Sequence, residues 1–375
     1  MMPFTLGAGC RCLKINKLNR THAYPVFLAL LAALLFGVSA PLAKLLLGEI
    51  EPILLAAFLY LGSGFGLLLI KILQKIEKSS KTAEAKIKKT DFIWLAGATL
   101  AGGIAAPIIL LFSLRDTPAA TASLLLNFES VATTLIAAIA FKEFVSRRAW
   151  WAVITITSAS IILSVNQNSA WGFSLGAIGI VAACVFWGFD NNLTRNISAK
   201  DPLTIVTIKG LVAGTFSLAL AILTGNQIPS WIILLRAMIL GSLSYGLSIV
   251  LFIRAMRGLG AARTSALFST APLAGLTLSI FLFHETPNSM LLLALPLMVV
   301  GTIFLVYEEH DHKHVHDFVV HEHSHNHNDG HHEHSHGDNV ISTQSHSHSH
   351  EHRYFEHKHH HMPDIHHRHT HISET

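Results

Sequence analysis

Residues 118–141 read PAATASLLLNFESVATTLIAAIAF, an apolar run of 24 residues whose single charge, Glu129, lies about 11 residues from either end. Crossing the hydrocarbon core of a bilayer takes about 20 mainly apolar residues. With no water in that core, the backbone must satisfy its own hydrogen bonds, so such a run spans as a helix. Pro118 opens the run at a first turn, where its missing N–H would be unpaired anyway.

Working outward, apolar helical runs recur at about 25–46, 52–70, 92–114, 149–165, 172–194, 202–223, 232–256, 261–283 and 289–307. Pro25, Pro52 and Pro202 are expected at first turns like Pro118. The sequence therefore predicts an all-α integral membrane protein with ten transmembrane helices. Composition agrees: 51% of the 375 residues are hydrophobic and 13% charged, where a soluble domain carries about 25% charged residues. The run from Val26 lacks a small-residue cleavage site and is read as a span rather than a leader. Cys10, Cys12 and Cys184 are too few for a disulfide framework.

Orientation follows from Lys and Arg, which stay on the cytoplasmic side. With the N-terminus inside, that side collects Arg11, Lys14, Lys17, Arg20, the seven lysines from Lys71 to Lys89, Lys142, Arg147, Arg148, Arg195, Lys200, Arg254, Arg257 and Arg263. The opposite side holds little beyond Lys44 and Arg115. Both termini are expected in the cytoplasm, and the protein in the cell (inner) membrane.

The chain also resembles itself. A shift of 142 residues sets Ala119-Ala120-Thr121-Ala122-Ser123 on Ala261-Ala262-Arg263-Thr264-Ser265, Arg115 on Arg257, Ser130 on Pro272 and Glu143 on Glu285. A shift of 151 sets Phe36-Gly37 on Trp187-Gly188 and Lys44 on Arg195, and a shift of 150 sets Pro52 on Pro202. Two halves of five helices must then lie in opposite orientations, the inverted-repeat plan of secondary transporters.

On these landmarks, Gly37 to Lys44, Gly188 to Arg195, the proline of each second helix and the Pro272–Glu285 stretch, the sequence resembles the EamA type of the drug/metabolite transporter superfamily. The resemblance covers about residues 25–307. Ser130 stands where the pattern has Pro, and Leu59 where the second half has Lys209. It implies a carrier of small organic solutes by alternating access, with no ATP site. The expected organisation is an N-terminal cytoplasmic segment (1–24), EamA-like repeats at 25–165 and 172–307, and a tail at 308–375.

Ionisable groups inside a bilayer are costly and mark function by default. Glu129, with Asn127 beside it, can bind a cationic substrate group or take up a proton. Lys209 lies seven residues into its helix, where it can snorkel outward or meet Glu129 or Asp190. Asp190-Asn191-Asn192 can line a pathway or mark the helix reaching water. Gly37, Gly188, Pro41 and Pro272 allow close packing or kinks, and Trp187, Tyr60 and Tyr245 can touch an organic solute. Gly62-x-x-x-Gly66 and Gly210-x-x-x-Gly214 read as packing faces, and Glu143 and Glu285 as loop caps. No P-loop, G-x-S-x-G or H-E-x-x-H is present, and no enzyme is expected.

The tail is a different kind of sequence. It holds 24 of the 26 histidines, with 12 acidic residues against four basic ones. Few apolar residues remain to bury, so a disordered tail is expected. His321, His323, His325 and His327, then His331, His332, His334 and His336, then His346, His348, His350 and His352 repeat an H-x-H alternation that brings imidazoles within reach of one ion. Neutral imidazole suits Zn, Ni and Co, and without cysteine the sites are expected to be labile. A tail that charges near the histidine pKa of about 6.5 can equally sense pH and move onto an anionic leaflet.

No cofactor is expected to be required. The expected partners are a small-molecule solute, a divalent transition metal and the lipid bilayer, with no nucleic acid. Three functions follow: a metabolite carrier with a metal-binding tail, a carrier of Ni, Co or Zn itself, or a membrane-anchored metal buffer. Because the tail lies outside every span, truncation after Glu309 should leave the thermal unfolding of the detergent-solubilised protein unchanged. The same truncation should remove the titratable binding of Zn and Ni seen with the full chain. An unfolded truncation would place the boundary elsewhere.

Overall fold

The computed structural model describes residues 15–76, 85–141, 145, 147–165, 174–198, 200–284 and 289–306, and in the tail 310–316, 319–325, 346–352 and 355–361. Up to residue 306 every long element is helical. The first span is α1 (Ile15–Gly37) and α2 (Ser39–Leu46), parted at Val38; α3 (Pro52–Ile76) follows. Because α1 begins at Ile15, Pro25 lies inside it rather than at its first turn, and the expected N-terminal segment is partly helical.

The third span is α4 (Phe92–Ala98), a π-helical segment Thr99–Ala105 and α5 (Ala106–Arg115). Next come α6 (Ala119–Leu125), α7 (Phe128–Ala140) and α8 (Arg147–Ser164). Beyond them lie α9 (Leu175–Arg195), α10 (Pro202–Leu223), α11 (Trp231–Gly241), a second π-helical segment Ser242–Leu247 and α12 (Ser248–Phe268). The helical part closes with α13 (Ala271–Phe283) and α14 (Ser289–Val306).

Among the described residues seven stretches are long and apolar enough to cross a membrane: Tyr24–Leu46, Pro52–Gln74, Lys89–Arg115, Ala119–Ala140, Leu175–Arg195, Pro202–Leu223 and Trp231–Met256. Ala271–Phe283 and Ser289–Phe304 are shorter apolar helices. The outer surface carries Leu223, Leu175 and Ile139 at 84%, 80% and 76% exposure. A belt of that kind suits lipid and not water.

Besides the first span, two expected helices are discontinuous. The stretch quoted first breaks between α6 and α7 at Leu126 and Asn127. Here the Asn127, Glu129 and Ser130 amides reach back three residues, to Leu124, Leu126 and Asn127 carbonyls at 3.0, 3.1 and 3.2 Å. The Cys184 thiol covers the carbonyls of Leu125 and Leu126 at 3.7 and 3.8 Å. The expected 261–283 helix is also divided. Its first part continues α12 without the loop expected near 257–260, and the break falls at Ser269 and Thr270. Pro272 disfavours helical backbone just before it, and the Thr270 hydroxyl turns back to the Leu267 carbonyl at 2.7 Å.

The helices pack in pairs: α3 on α10, α1 on α12, α8 on α14, α9 on both α5 and α7, and α13 on α6 and α1. The α3–α10 crossing depends on glycine, since a Cβ on Gly210 would lie 2.7 Å from the Gly64 amide nitrogen. A Cβ on Gly188 would lie 2.9 Å from the Ala132 backbone, so this glycine lets α9 meet α7.

The two ends are tied differently. At one end Lys44 donates to the carbonyls of Leu114 and Thr117, and Arg115 pairs with Glu51 at 2.6 Å. At the other, Lys71 pairs with Asp201 at 3.3 Å and Lys200 with Asp91 at 3.9 Å.

In the tail the backbone is paired over four segments where disorder is expected. His310–His316 runs antiparallel to Phe355–His361, and Val319–His325 to His346–His352, in one continuing register. The period-two H-x-H pattern is that of a strand. His327, His331, His332, His334 and His336 lie outside the described residues, as do Cys10, Cys12, Glu143 and Glu285.

Candidate functional site

A cavity opens in the middle of the bundle and runs toward the end at which α9 finishes and α10 begins. Its space is about 830 Å³ counted to the open mouth, and Ser198, Arg195 and Met256 lie at that end. On α9, Trp187, Asn191 and Thr194 recur at helical spacing and place one face on the cavity, which Ser198 in the turn after the helix continues. Tyr245, Ile249, Phe252 and Met256 do the same on the α12 side.

The deep wall is aromatic. Phe36 meets Trp187 edge-on at a centroid distance of 5.9 Å, Tyr245 at 5.8 Å and Phe268 at 5.1 Å. Tyr60 and Tyr245 stand 5.5 Å apart, and Phe252 and Phe268 4.8 Å apart. Two of these rings are fastened to one point. The Tyr60 hydroxyl and the Trp187 indole N–H both donate to the Gly102 carbonyl, at 2.6 and 3.1 Å. Gly102 sits in the first π-helical segment, where the widened turn presents a carbonyl for such donors. A side chain at 102 would also run into the Asp190 carboxylate.

Glu129, Asp190 and Lys209 reach the cavity from within the spans, and they are not equivalent. Asp190 and Lys209 neutralise one another, Nζ to Oδ1 at 2.5 Å, with side chains 11% and 8% exposed. The Thr194 hydroxyl adds a second bond to Asp190 Oδ1 at 2.8 Å. Glu129, in the first turn of α7 just past the helix break, accepts one bond, from the Asn191 amide at 2.8 Å. Thr133 bonds the same amide group at 3.1 Å and fixes its direction. Among the described residues no cation touches Glu129.

Of the residues the sequence singles out, Glu129, Asp190, Lys209 and Trp187 come together on this cavity. Lys209 meets Asp190, one of its two expected partners. Asn127 turns away: it is buried, donates to Thr302 Oγ1 at 3.3 Å and to the Met298 sulfur at 3.5 Å, and its Oδ1 has no partner. Gly37, Gly188 and Pro272 belong to helix contacts, Gly37 against the Ala271 backbone, and do not line the cavity. Phe252, Phe268, Thr194 and Ser198 were not singled out from the sequence; Thr194, Ser198 and Phe252 follow Trp187 and Tyr245 in successive steps of three and four residues, and Phe268 has no such signal. Among the described residues no three His, Cys, Asp or Glu side chains gather as a metal site.

A family model described as the EamA-like transporter family matches the chain twice, over residues 23–165 and 174–307. The chain belongs to the EamA-like transporter family. Similar proteins include an uncharacterized transporter of Methanothermobacter thermautotrophicus strain Delta H, 27% identical over 293 residues, which cover 74% of this chain and 84% of the relative. A crystal structure of a protein shares the fold at a TM-score of 0.57 and 19% identity, covering 75% of this chain and 94% of that one. The chain is thus a multi-pass membrane transporter, and the histidine-rich tail lies beyond both family matches.

Removing one member of a buried ion pair strands the other, at a cost of about 3–5 kcal/mol, whereas removing both is far milder. Lys209→Met should therefore lower the thermal stability of the solubilised protein strongly. Asp190→Asn with Lys209→Met should recover most of it. Equal stability of the single and double variants would show that the pair carries no such coupling.

Proposed function

We propose that the protein is a secondary-active carrier that moves a small organic metabolite by alternating access. The observation that carries this reading is the central cavity, reached from one end of the bundle, while Lys44, Arg115 and Glu51 tie the helices together at the other. By the Lys and Arg distribution the open end is cytoplasmic, so the structure corresponds to an inward-facing state in the cell membrane, with both termini inside.

The cycle rests on ten spans in two inverted five-helix repeats, 25–165 and 172–307. The packing supports this. Exchanging the halves carries the α1–α12 contact onto the contact of α9 with the third span, and the α7–α9 contact onto α13–α1. The α3–α10 and α8–α14 contacts map onto themselves. Each half also has a π-helical segment in its third span and a break in its fourth. Rocking of one repeat against the other would open the end that Lys44 ties.

The cytoplasmic tail is an accessory that binds divalent Zn, Ni or Co in labile sites. Its backbone register sets His321 opposite His350, His323 opposite His348 and His325 opposite His346. Neither a resident cofactor nor a catalytic step is part of this proposal.

The test uses the purified full chain in proteoliposomes incubated with a cell metabolite extract, the lumenal contents being read by mass spectrometry. Zn, Ni and Co uptake is measured in parallel. At least one small organic solute should accumulate, and Glu129→Gln should reduce it about ten-fold or more at unchanged protein abundance. Undiminished accumulation in that variant would remove Glu129 from the mechanism. Uptake of metal with no organic solute moved would make the metal the cargo instead.

A further inference from the structure

The arrangement of charge around the cavity selects a substrate class. We propose that the transported solute carries a protonated amine or quaternary ammonium on an apolar body, the cation facing Glu129 and the body lying against the aromatic wall. This inference rests on the carrier reading and on the same cavity.

Charge comes first. Lys209 is a buried cation on the same cavity, and Asp190 and Thr194 already hold it. Glu129 keeps only a neutral partner, the Asn191 amide, whose single bond leaves the carboxylate's other lone pairs unused. An ionised carboxylate at the level of the hydrocarbon core is strongly disfavoured without a counter-charge. A solute that brings a positive group therefore gains most at this point.

The wall comes second. Phe36, Tyr60, Trp187, Tyr245, Phe252 and Phe268 form one connected set of rings beside Glu129. Ring faces carry negative electrostatic potential and attract ammonium groups, more so when water is excluded. They repel anions by the same physics, and they cover apolar surface on the remainder of the solute.

A bare divalent ion fits poorly. Zn, Ni and Co take four or more nitrogen, sulfur or oxygen ligands, and here Glu129 faces an amide donor and aromatic rings, with no cluster of three His, Cys, Asp or Glu side chains among the described residues. Arg195 at the mouth supplies a cation about one helical turn from Asn191. The ammonium can thus come from a free amine or from the amino end of a zwitterion, and the experiment separates these sources.

The full chain in detergent is titrated calorimetrically with phenylethylammonium, its uncharged isostere 2-phenylethanol, the anion phenylpropanoate, and phenylalanine. Phenylethylammonium should bind at least ten-fold more tightly than 2-phenylethanol. Glu129→Gln should abolish that preference, and Glu129→Asp should keep it. Retained thermal unfolding of each variant excludes misfolding as the cause. Phenylalanine binding as tightly as phenylethylammonium would assign the ammonium to a zwitterion; weaker binding would assign it to a free amine.

Equal binding of the alcohol or the anion overturns the proposal, as does a cation preference that survives Glu129→Gln or the absence of any cation binding. Flux of the same compounds into proteoliposomes is read separately. Cation binding without flux would overturn the carrier reading and leave the ligand class standing.

Discussion

Asp190 and Lys209 settle the electrostatics of the bundle by settling each other. Two opposite charges 2.5 Å apart on neighbouring helices commit Lys209 to Asp190, and among the described residues no cation touches Glu129. The pair also joins α9 to α10 close to the point where Gly102 of the third span packs against the Asp190 carboxylate. Electrostatics and helix packing therefore meet in one place. A change in either partner alters both the rigidity of that wall and the charge the cavity offers.

Several helices around this point are interrupted. Breaks at Leu126–Asn127 and at Ser269–Thr270, and the two π-helical segments, leave backbone groups outside the ordinary helical ladder. Within a membrane such groups are tolerated only where protein or a water-filled cavity satisfies them. Here protein does so: the Cys184 thiol covers the first break, Thr270 its own, and Tyr60 and Trp187 the Gly102 carbonyl. The aromatic wall is thus part of the backbone's hydrogen bonding. A solute lying on Trp187 and Tyr60 bears directly on a segment whose helical register is already loosened.

Hydropathy made the spans legible because the bilayer imposes a length and a composition that a single sequence displays. Midplane charge made Glu129 legible for the same reason, and the internal repeat showed which landmarks correspond. The choice of partner for Lys209 was not legible, since Glu129 and Asp190 are both carboxylates within spans and only the packing of α7, α9 and α10 separates them. Asn127, two residues from Glu129, lies on the other side of the chain and turns toward α14. The π-helical segments left no pattern in hydropathy, because one extra residue in a turn barely changes the mean hydropathy of a span. The aromatic face of the α12 side could have been read from the spacing of Tyr245, Ile249, Phe252 and Met256. Uniform hydrophobicity around that helix hid which stripe faces inward.

A carrier must expose one cavity to both sides of the membrane in turn, and Ser63, deep in the cavity wall and 1% exposed, is placed to report it. The direct measurement is labelling of Ser63→Cys, in a chain with Cys10, Cys12 and Cys184 replaced by serine, by a membrane-impermeant maleimide. The reagent is applied from either side of oriented vesicles under exchange conditions. Labelling from both sides, with the cytoplasmic side faster, is the predicted result. Labelling from one side alone under every condition would contradict alternating access and leave a binding site in place of a carrier.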